Sequence, residues 1–153
     1  MGRVANLRAL DLFSGIGGFA LGLRQAGGFT TSAFCEIEAD CHPTLARHFP
    51  KAKRFFDVRE LSQESLHEQG VGPIDLICGG FPCQDISAAG RGKGLAGERS
   101  GLWREFARLI GEIEPRWVLV ENVPMLLALA LLDAERGRAP SAPKNRRASL
   151  EGS

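Results

Sequence analysis

The sequence lacks several features that mark large classes of proteins. Its 153 residues carry 19 Lys and Arg against 18 Asp and Glu, and this net charge of +1 argues against a strongly basic nucleic-acid tail protein. No signal peptide opens the chain, and the longest apolar run, residues 125–132, is far shorter than the roughly 20 residues of a spanning helix. We therefore expect a cytoplasmic protein that is not inserted in a membrane.

Cysteine is also scarce, and none of the four cysteines forms a C-x-x-C pair. Without such a pair, and without a His pair at zinc-finger spacing, we predict no metal site. Cys78 lies within an apolar run and is expected to be a buried structural thiol. Cys83 lies between Pro82 and Gln84 just after that run, which is a poor place for a core residue. It is therefore the candidate nucleophile.

The sequence does contain an alternation of strand-like and helix-like segments in a domain-sized chain with 44% apolar residues. Apolar, β-prone runs predict strands at residues 7–13, 30–35, 53–56, 74–78 and 117–120. Helices are predicted at residues 17–26, 39–49, 61–69 and 102–114. Strands that alternate with helices imply a mostly parallel sheet, so we predict an open doubly wound α/β fold that binds its ligand at the carboxyl ends of the strands.

The turn after the first strand is rich in glycine and reads DLFSGIGGFA at residues 11–20. Glycines allow a sharp turn and a close approach of the backbone to a ligand. Gly15, Gly17 and Ala20 satisfy the G-x-G-x-x-A spacing of dinucleotide sites. A plain turn from strand to helix is the alternative interpretation.

Acidic residues follow the second and third predicted strands. Glu36 lies 21 positions after Gly15, where a carboxylate can bind ribose hydroxyls. The alternative for Glu36 is a surface residue that caps the next helix, for which Glu38 and Asp40 are equally available. Asp57 after the third strand is, by itself, a candidate cap for the helix at 61–69. The hypothesis that these loops share is a site for an adenosine moiety.

The loops after the fourth and fifth strands complete the same edge of the sheet. Residues 88–101 contain five glycines and several bases, including Arg99, and suit either a mobile lid near phosphates or a surface excursion. Glu121 and Asn122 follow the fifth strand in the same layer of loops as Cys83. The carboxylate of Glu121 could protonate or hold a bound base, and a helix N-cap is the alternative.

Taken together, these segments resemble the cytosine-C5 DNA methyltransferases that use S-adenosylmethionine. DLFSGIGG at residues 11–18 resembles the first motif of the family, GFPCQ at 80–84 its nucleophile motif, and ENV at 121–123 its ENV motif. The order and spacing also fit, over about residues 7–127. The resemblance implies a Rossmann-like methyltransferase fold.

The resemblance also implies roles for individual residues. The residues that line the cofactor are Phe13, Gly15, Gly17, Pro82 and Leu102. Glu36 holds the ribose hydroxyls, Ile37 lies against the adenine, and Asp57 with Val58 resembles the pair that contacts the adenine amino group. Cys83 is the nucleophile and Glu121 the acid. Substrate contacts are assigned to Gln84, Ser87, Arg99 and Asn122.

The chemistry of this family accounts for these residue types. Carbon 5 of cytosine is too electron-poor to accept a methyl group until a thiolate adds to carbon 6 and makes an enamine. A carboxylic acid that protonates the ring nitrogen stabilises the adduct. The ring is unreachable inside a duplex, so the expected partner is double-stranded DNA with its cytosine flipped out. RNA as the substrate stays open.

The sequence departs from the family after residue 127. The further strands, the arginine motif, the target-recognition region and the last helix of the family are absent. We therefore predict a partial catalytic domain at 1–127, an incomplete sheet edge at the fifth strand, and a tail at 128–153 that is largely disordered from residue 134. The change of composition near Ala128 suggests a frameshift or an early stop.

Several functions stay open at this point. The leading prediction is a DNA (cytosine-5-)-methyltransferase of a restriction–modification type that is truncated and impaired. The alternatives are a non-catalytic remnant that binds S-adenosylmethionine and one half of a split enzyme, completed by a second chain that supplies target recognition. A nicotinamide-dependent oxidoreductase depends only on the glycine spacing and gives Cys83 no role.

Overall fold

The computed structural model describes residues 6–80 and 100–121, which form one parallel sheet with helices around it. The strands are β1 (Leu7–Leu12), β2 (Phe29–Cys35), β3 (Lys53–Phe55), β4 (Leu76–Gly80) and β5 (Trp117–Glu121). The helices are α1 (Gly18–Ala26), α2 (His42–His48), α3 (Gln63–Glu68) and α4 (Ser100–Ile113), with a 3-10 turn at Ala39–Cys41. The predicted tail lies outside the described residues.

The strand order is β3-β2-β1-β4-β5, and all four pairings are parallel. The chain therefore adds β2 and β3 on one side of β1. It then crosses back and adds β4 and β5 on the other side of β1. This arrangement confirms the predicted doubly wound sheet. A switch point lies between β1 and β4, where their carboxyl ends bring Leu12 beside Gly79.

The core is built on both faces of β1, as expected for the central strand of a parallel sheet. Four consecutive residues, 9–12, are fully buried. The larger cluster of buried side chains includes Leu10, Leu12 and Ile77 and packs against Phe106 and Leu109 of α4. The smaller clusters join α1 and α2 to the sheet. The fold thus places the carboxyl ends of the strands, and the loops that follow them, at one edge of the sheet, with helices packed on both of its faces.

Several predicted boundaries differ from the structure by one or two residues, and two of the differences have a local reason. β4 begins at Leu76 rather than residue 74, because the Asp75 carboxylate accepts the backbone N–H of Arg8 at 2.9 Å, while the Asp75 N–H donates to the Arg8 carbonyl at 2.8 Å. The predicted helix at 39–49 is divided, since Pro43 lies in the first turn of α2 and the residues before it form a 3-10 turn.

The cap of α3 corrects the prediction that Asp57 has this role. The helix begins at Gln63, and its N-terminus is closed by a capping box between Ser62 and Ser65. The Ser62 hydroxyl accepts the Ser65 N–H at 3.0 Å, and the Ser65 hydroxyl accepts the Ser62 N–H at 2.9 Å. The Asp57 carboxylate is therefore available for another role.

Arg108 ties α4 to the loop that follows β3. One guanidinium nitrogen donates to the carbonyls of Val58 at 3.0 Å and Leu61 at 2.9 Å. The other two nitrogens pair with Glu105 at 2.7 Å and Glu112 at 2.6 Å on the same helix. Because the two carboxylates hold the guanidinium in place, the loop is fixed relative to α4.

The edge strand β5 is apolar and exposed to solvent. Among the described residues, β5 pairs with β4 alone, and Trp117, Val118 and Leu119 are 58%, 43% and 45% exposed. Because the residues after Glu121 lie outside the described part of the chain, the incomplete sheet edge stays a prediction. None of the described helices is long and apolar enough to cross a membrane.

Two glycines provide a matched test of this packing. A Cβ at Gly79 would overlap the carbonyl oxygen of Leu12, whereas a Cβ at Gly111 in α4 meets no atom. We expect Gly79→Ala to lower the free energy of unfolding by about 2–3 kcal/mol or more. Gly111→Ala should raise it by about 1 kcal/mol through helix propensity. Urea denaturation followed by circular dichroism measures both, and equal effects of the two substitutions would contradict the assigned β1–β4 register.

Candidate functional site

A cavity of about 600 Å³ opens at the carboxyl ends of the strands, where the doubly wound fold predicts a ligand. This volume is within the range of roughly 300–1,000 Å³ that is typical of small-molecule sites. The walls come from the turns after β1, β2 and β3, from the end of β4 and from α4. The predicted cofactor residues among the lining are Phe13, Gly15, Glu36, Ile37, Asp57, Val58 and Leu102.

The turn after β1 has an unusual backbone that the glycines make possible. Phe13, Gly15 and Gly17 all have positive φ, at 53°, 53° and 91°. A Cβ at Gly17 would lie 3.0 Å from the Leu45 side chain and 3.2 Å from the Phe49 ring. Gly17 therefore lets α1 pack closely on α2 and is not among the residues that line the cavity. Its assignment to the cofactor stays a prediction.

Glu36 is buried and connects two loops. One carboxylate oxygen accepts the Gly15 N–H at 2.6 Å, and the other accepts the Glu38 N–H at 2.9 Å. The side chain is 7% exposed, so the interpretation of Glu36 as a surface helix cap is wrong. Glu38 and Asp40 are exposed, which also makes them different from Glu36 rather than equivalent to it.

Two backbone N–H groups of the glycine turn donate hydrogen bonds to acceptors within the protein. The Gly15 N–H donates to Glu36, and the Gly17 N–H donates to the Ser14 carbonyl at 2.9 Å. A dinucleotide site needs N–H groups of this turn to bind the pyrophosphate. Two of the N–H groups that such a site could use are therefore already engaged within the protein.

Asp57 and Val58 form the wall that follows β3. The Asp57 carboxylate accepts the Arg59 backbone N–H at 2.9 Å and pairs with the Arg59 guanidinium at 3.0 Å. The hydrogen bond from the Arg59 backbone, together with its guanidinium, holds the pKa of Asp57 below its usual value despite partial desolvation. Asp57 is thus an ionised acceptor at neutral pH. Val58 is fixed by the Arg108 contact described above.

The cavity is acidic. Four carboxylates line it, from Glu36, Glu38, Asp57 and Glu105, against the single base Arg59 among the described lining residues. That base already pairs with Asp57. Such a lining favours a ligand with hydroxyl, amino or cationic groups and disfavours a diphosphate.

Glu121 lies beside the cavity, opposite Gly80 in the β4–β5 register. A Cβ at Gly80 would lie 2.9 Å from a carboxylate oxygen of Glu121, so the glycine leaves room for that side chain. Gly80 itself lines the cavity, and it is the first residue of the GFPCQ motif and the only one of the five that the structure describes. The predicted site residues that lie outside the described part of the chain are Pro82, Cys83, Gln84, Ser87, Arg99 and Asn122.

The three cysteines of the described residues are not activated thiols. Burial, with the charges of Asp57 and Glu36 nearby, raises the pKa of Cys35 to about 12. Burial and the neighbouring Asp11 also raise the pKa of Cys78, which confirms its prediction as a buried thiol. Desolvation and nearby acids, Glu36 first, raise the pKa of Cys41. A nucleophilic thiolate needs a lowered pKa, so none of the three fits that role.

Some lining residues were not predicted. They are Cys35, Glu38, Cys41, Phe56, Arg59, Gly80 and Glu105. For Phe56 a signal exists, since two adjacent aromatics in residues 53–56 cannot share one face of a strand. The structure ends β3 at Phe55 and leaves Phe56 56% exposed in the cavity wall.

Asp11 is a fully buried acid beneath the glycine turn. Neither of its carboxylate oxygens accepts a well-formed hydrogen bond from the described residues. Burial raises the pKa of Asp11 to about 7, and the nearby Ala20 backbone and Cys78 thiol offset this only in part. The described residues contain no group of three or more His, Cys, Asp or Glu side chains arranged for a metal ion.

Comparisons with known proteins agree with this geometry. The family model for C-5 cytosine-specific DNA methylase matches residues 7–131. Type II methyltransferase M2.BsuMI of Bacillus subtilis (strain 168) is 40% identical over 139 residues, which are 88% of this chain and 32% of that protein. Type II methyltransferase M.CviJI of Paramecium bursaria Chlorella virus IL3A is 38% identical over 79% of this chain and 31% of its own length. The chain thus spans about a third of these relatives.

Solved structures share the fold. A DNA modification methyltransferase encoded within an E. coli prophage superposes with a TM-score of 0.65 at 31% identity, over 85% of this chain and 38% of that one. A Spodoptera frugiperda DNMT2 variant gives a TM-score of 0.62 at 17% identity, over 87% of this chain and 40% of that one, which supports the fold alone. The Rossmann-like methyltransferase fold is therefore established for the described sheet.

The raised pKa of Asp11 predicts a specific pH dependence of stability. The native state keeps the proton up to about pH 7, whereas an unfolded Asp loses it near pH 3.9, so the wild-type free energy of unfolding falls as the pH rises between these values. Relative to Asp11→Asn, which cannot ionise, wild type should lose about 2–3 kcal/mol between pH 5 and pH 8. Urea titrations measure this difference. Asp40→Asn, at an exposed position, should show no such difference, and parallel pH profiles for wild type and Asp11→Asn would contradict the prediction.

Proposed function

The chain belongs to the C-5 cytosine-specific DNA methylase family, and on this premise we propose that it carries the catalytic half of a DNA (cytosine-5-)-methyltransferase. The reaction transfers a methyl group from S-adenosylmethionine to carbon 5 of cytosine in DNA. The observation that carries the proposal is the acidic cavity at the strand ends, with Glu121 beside it and Glu36 held across two of its loops.

The cavity residues fit S-adenosylmethionine. The two Glu36 oxygens each accept one backbone N–H and keep a further lone pair for the ribose hydroxyls. The ionised Asp57 accepts from the adenine amino group, with Ile37, Val58, Phe13 and Leu102 as apolar walls. Gly15 lines the same cavity, and Gly17 and Pro82 are assigned to the cofactor on the family resemblance alone. The excess of carboxylates suits the positive charges of the sulfonium and the amino group.

When bound, S-adenosylmethionine supplies the electrophilic methyl group. Cys83 is the nucleophile, and its thiolate adds to carbon 6 of the cytosine ring, which moves the electron pair of the 5,6 double bond toward carbon 5. Glu121 donates a proton to the ring nitrogen and stabilises the adduct. After methylation, loss of the carbon-5 proton to a base and departure of the Cys83 thiolate restore the double bond, and the ring nitrogen returns its proton to the Glu121 carboxylate.

The substrate is DNA with the target cytosine flipped out of the duplex, because the attack on carbon 6 is blocked inside the stack. Gln84, Ser87, Arg99 and Asn122 contact the flipped base or its strand. We place this activity in the cytoplasm, as part of a type II restriction–modification system like those of the named relatives. RNA is the alternative substrate for the same chemistry.

The isolated chain should methylate DNA weakly or not at all. It spans about a third of its relatives, and residues 1–127 hold the catalytic motifs, while the tail from 128 resembles no recognition region. Phosphate and base contacts come mostly from such a region. A second polypeptide that supplies it, as in a split enzyme, would restore activity, whereas a remnant that only binds the cofactor would not respond.

Cofactor binding tests the role of Glu36. We expect Glu36→Ala to weaken S-adenosylhomocysteine binding at least tenfold, because the ribose acceptor and the Gly15–Glu38 bridge are both lost, which is about 1.4 kcal/mol or more. Glu36→Gln keeps the shape and should bind with intermediate affinity. Isothermal titration calorimetry provides the dissociation constants. Glu60→Ala removes an exposed acid outside the cavity and should bind as wild type does. Unchanged binding by Glu36→Ala would remove Glu36 from the site.

The nucleophile is tested with a covalent trap. Duplex DNA that carries 5-fluorocytosine should form a denaturant-stable adduct with the chain in the presence of S-adenosylmethionine and a complementing recognition region. Cys83→Ser should abolish the adduct, and Glu121→Gln should slow its formation by roughly 10²-fold or more. Cys78→Ala, at a buried thiol that does not line the cavity, is the matched control and should retain it. An adduct formed by Cys83→Ser would disprove the assignment, and robust tritium transfer by the chain alone would disprove its impairment.

A further inference from the structure

Phe56 exposes an aromatic ring in the wall of the cavity. The ring is 56% exposed, and it lines the cavity beside Asp57. A large apolar side chain that stays open to water at a concave site gains free energy when a ligand covers it. The family resemblance gives Phe56 no role.

A buried histidine sets the orientation of this ring. The His42 ring stacks on the Phe56 ring with centroids 4.0 Å apart and an angle of 16° between the planes. His42 is 9% exposed, and its Nε2–H donates to the Glu36 carbonyl at 2.8 Å. Because His42 is the first residue of α2 and its ring is held by the hydrogen bond to Glu36, the stacked Phe56 ring is held relative to the Glu36 loop.

We propose that Phe56 is a ligand-binding residue that packs its exposed aromatic surface on the purine of the nucleoside ligand, and that His42 is its positioning residue. The inference rests on the proposed function and assigns a further contact within the same cavity. Asp57, the next residue, provides the acceptor for an exocyclic amino group, and Glu36 provides the acceptors for ribose. The three residues therefore match the parts of a nucleoside: Phe56 matches the base, Asp57 its amino group and Glu36 the ribose.

The physical chemistry of aromatic stacking explains why the contact between His42 and Phe56 should strengthen ligand binding. A purine is flat and polarizable, and aromatic pairs gain more than the burial of their area when their planes are fixed. A phenylalanine that is free to rotate would lose this freedom on binding and weaken the ligand. The stack with His42 already restricts the Phe56 ring, so the ring loses little further conformational freedom when the ligand binds. His42 acts through the Phe56 ring and through its hydrogen bond to the Glu36 carbonyl rather than by its own contact with the ligand, so its substitution should have a smaller effect than that of Phe56.

The test is calorimetric titration of the chain with S-adenosylhomocysteine, repeated for Phe56 and His42 variants. We expect Phe56→Ala to weaken binding about tenfold, Phe56→Leu to weaken it severalfold, and Phe56→Trp to preserve it. His42→Ala should weaken binding about threefold, and His42→Phe, which keeps a ring in the stack, should recover part of this loss. Leu21→Ala, at a position 43% exposed on α1 and outside the cavity, is the matched control.

A second readout separates stacking from a general structural effect. In proton NMR spectra, the adenine ring protons of bound S-adenosylhomocysteine should shift upfield through the ring current of Phe56. This shift should be retained in Phe56→Trp and reduced in Phe56→Leu, which keeps the apolar volume without the ring. Far-ultraviolet circular dichroism of each variant checks the fold.

The outcomes distinguish the two proposals. Weaker binding and a smaller upfield shift in Phe56→Leu, with Leu21→Ala unchanged, support the stacking role. Equal affinity and equal shifts for wild type and the Phe56 variants overturn it and leave the proposed function in place. Failure of wild type itself to bind S-adenosylhomocysteine overturns both.

Discussion

The Glu36 carboxylate is the interaction on which the rest of the site depends. It joins the turn after β1 to the turn after β2 by accepting one backbone N–H from each, at Gly15 and Glu38. A buried carboxylate with two such donors is satisfied without a counter-ion, which is a low-cost way to hold a negative charge in a cavity. The bridge also engages the Gly15 N–H, which is then not free to donate to a ligand.

The acidic lining of the cavity also influences which class of ligand can bind. Asp57 is kept ionised by Arg59, and Glu105 is held at the cavity by Arg108, so the two described bases nearest the cavity are engaged with carboxylates. Nucleotide sites that bind diphosphates present donors and positive charge. This site presents acceptors and negative charge, which matches a nucleoside that carries a sulfonium and an amino group. The two kinds of site share a glycine-rich turn and differ in what the turn's N–H groups contact.

Much of the fold follows from sequence patterns, because strand and helix periods and the glycine turn are local properties. The doubly wound order and the position of the ligand at the strand ends follow from the handedness of parallel crossovers. Other features depend on contacts between distant residues, which a linear pattern does not reveal. The hydrogen bond of Arg8 with Asp75 delays β4, and the pairing of Ser62 with Ser65 removes Asp57 from the role of a cap. The stacking of Phe56 on His42 likewise depends on tertiary proximity.

The Arg108 contact has a consequence for communication across the molecule. Helix α4 begins at Ser100, directly after the basic, glycine-rich segment, and Arg108 joins this helix to the loop that carries Val58. A shift of α4 along its axis therefore changes the wall against which a nucleoside lies. Coupling of this kind is reciprocal, since whatever steadies one end of the connection tightens binding at the other by the same free energy. A displacement of α4 would thus reach the Val58 wall of the cavity through a single guanidinium.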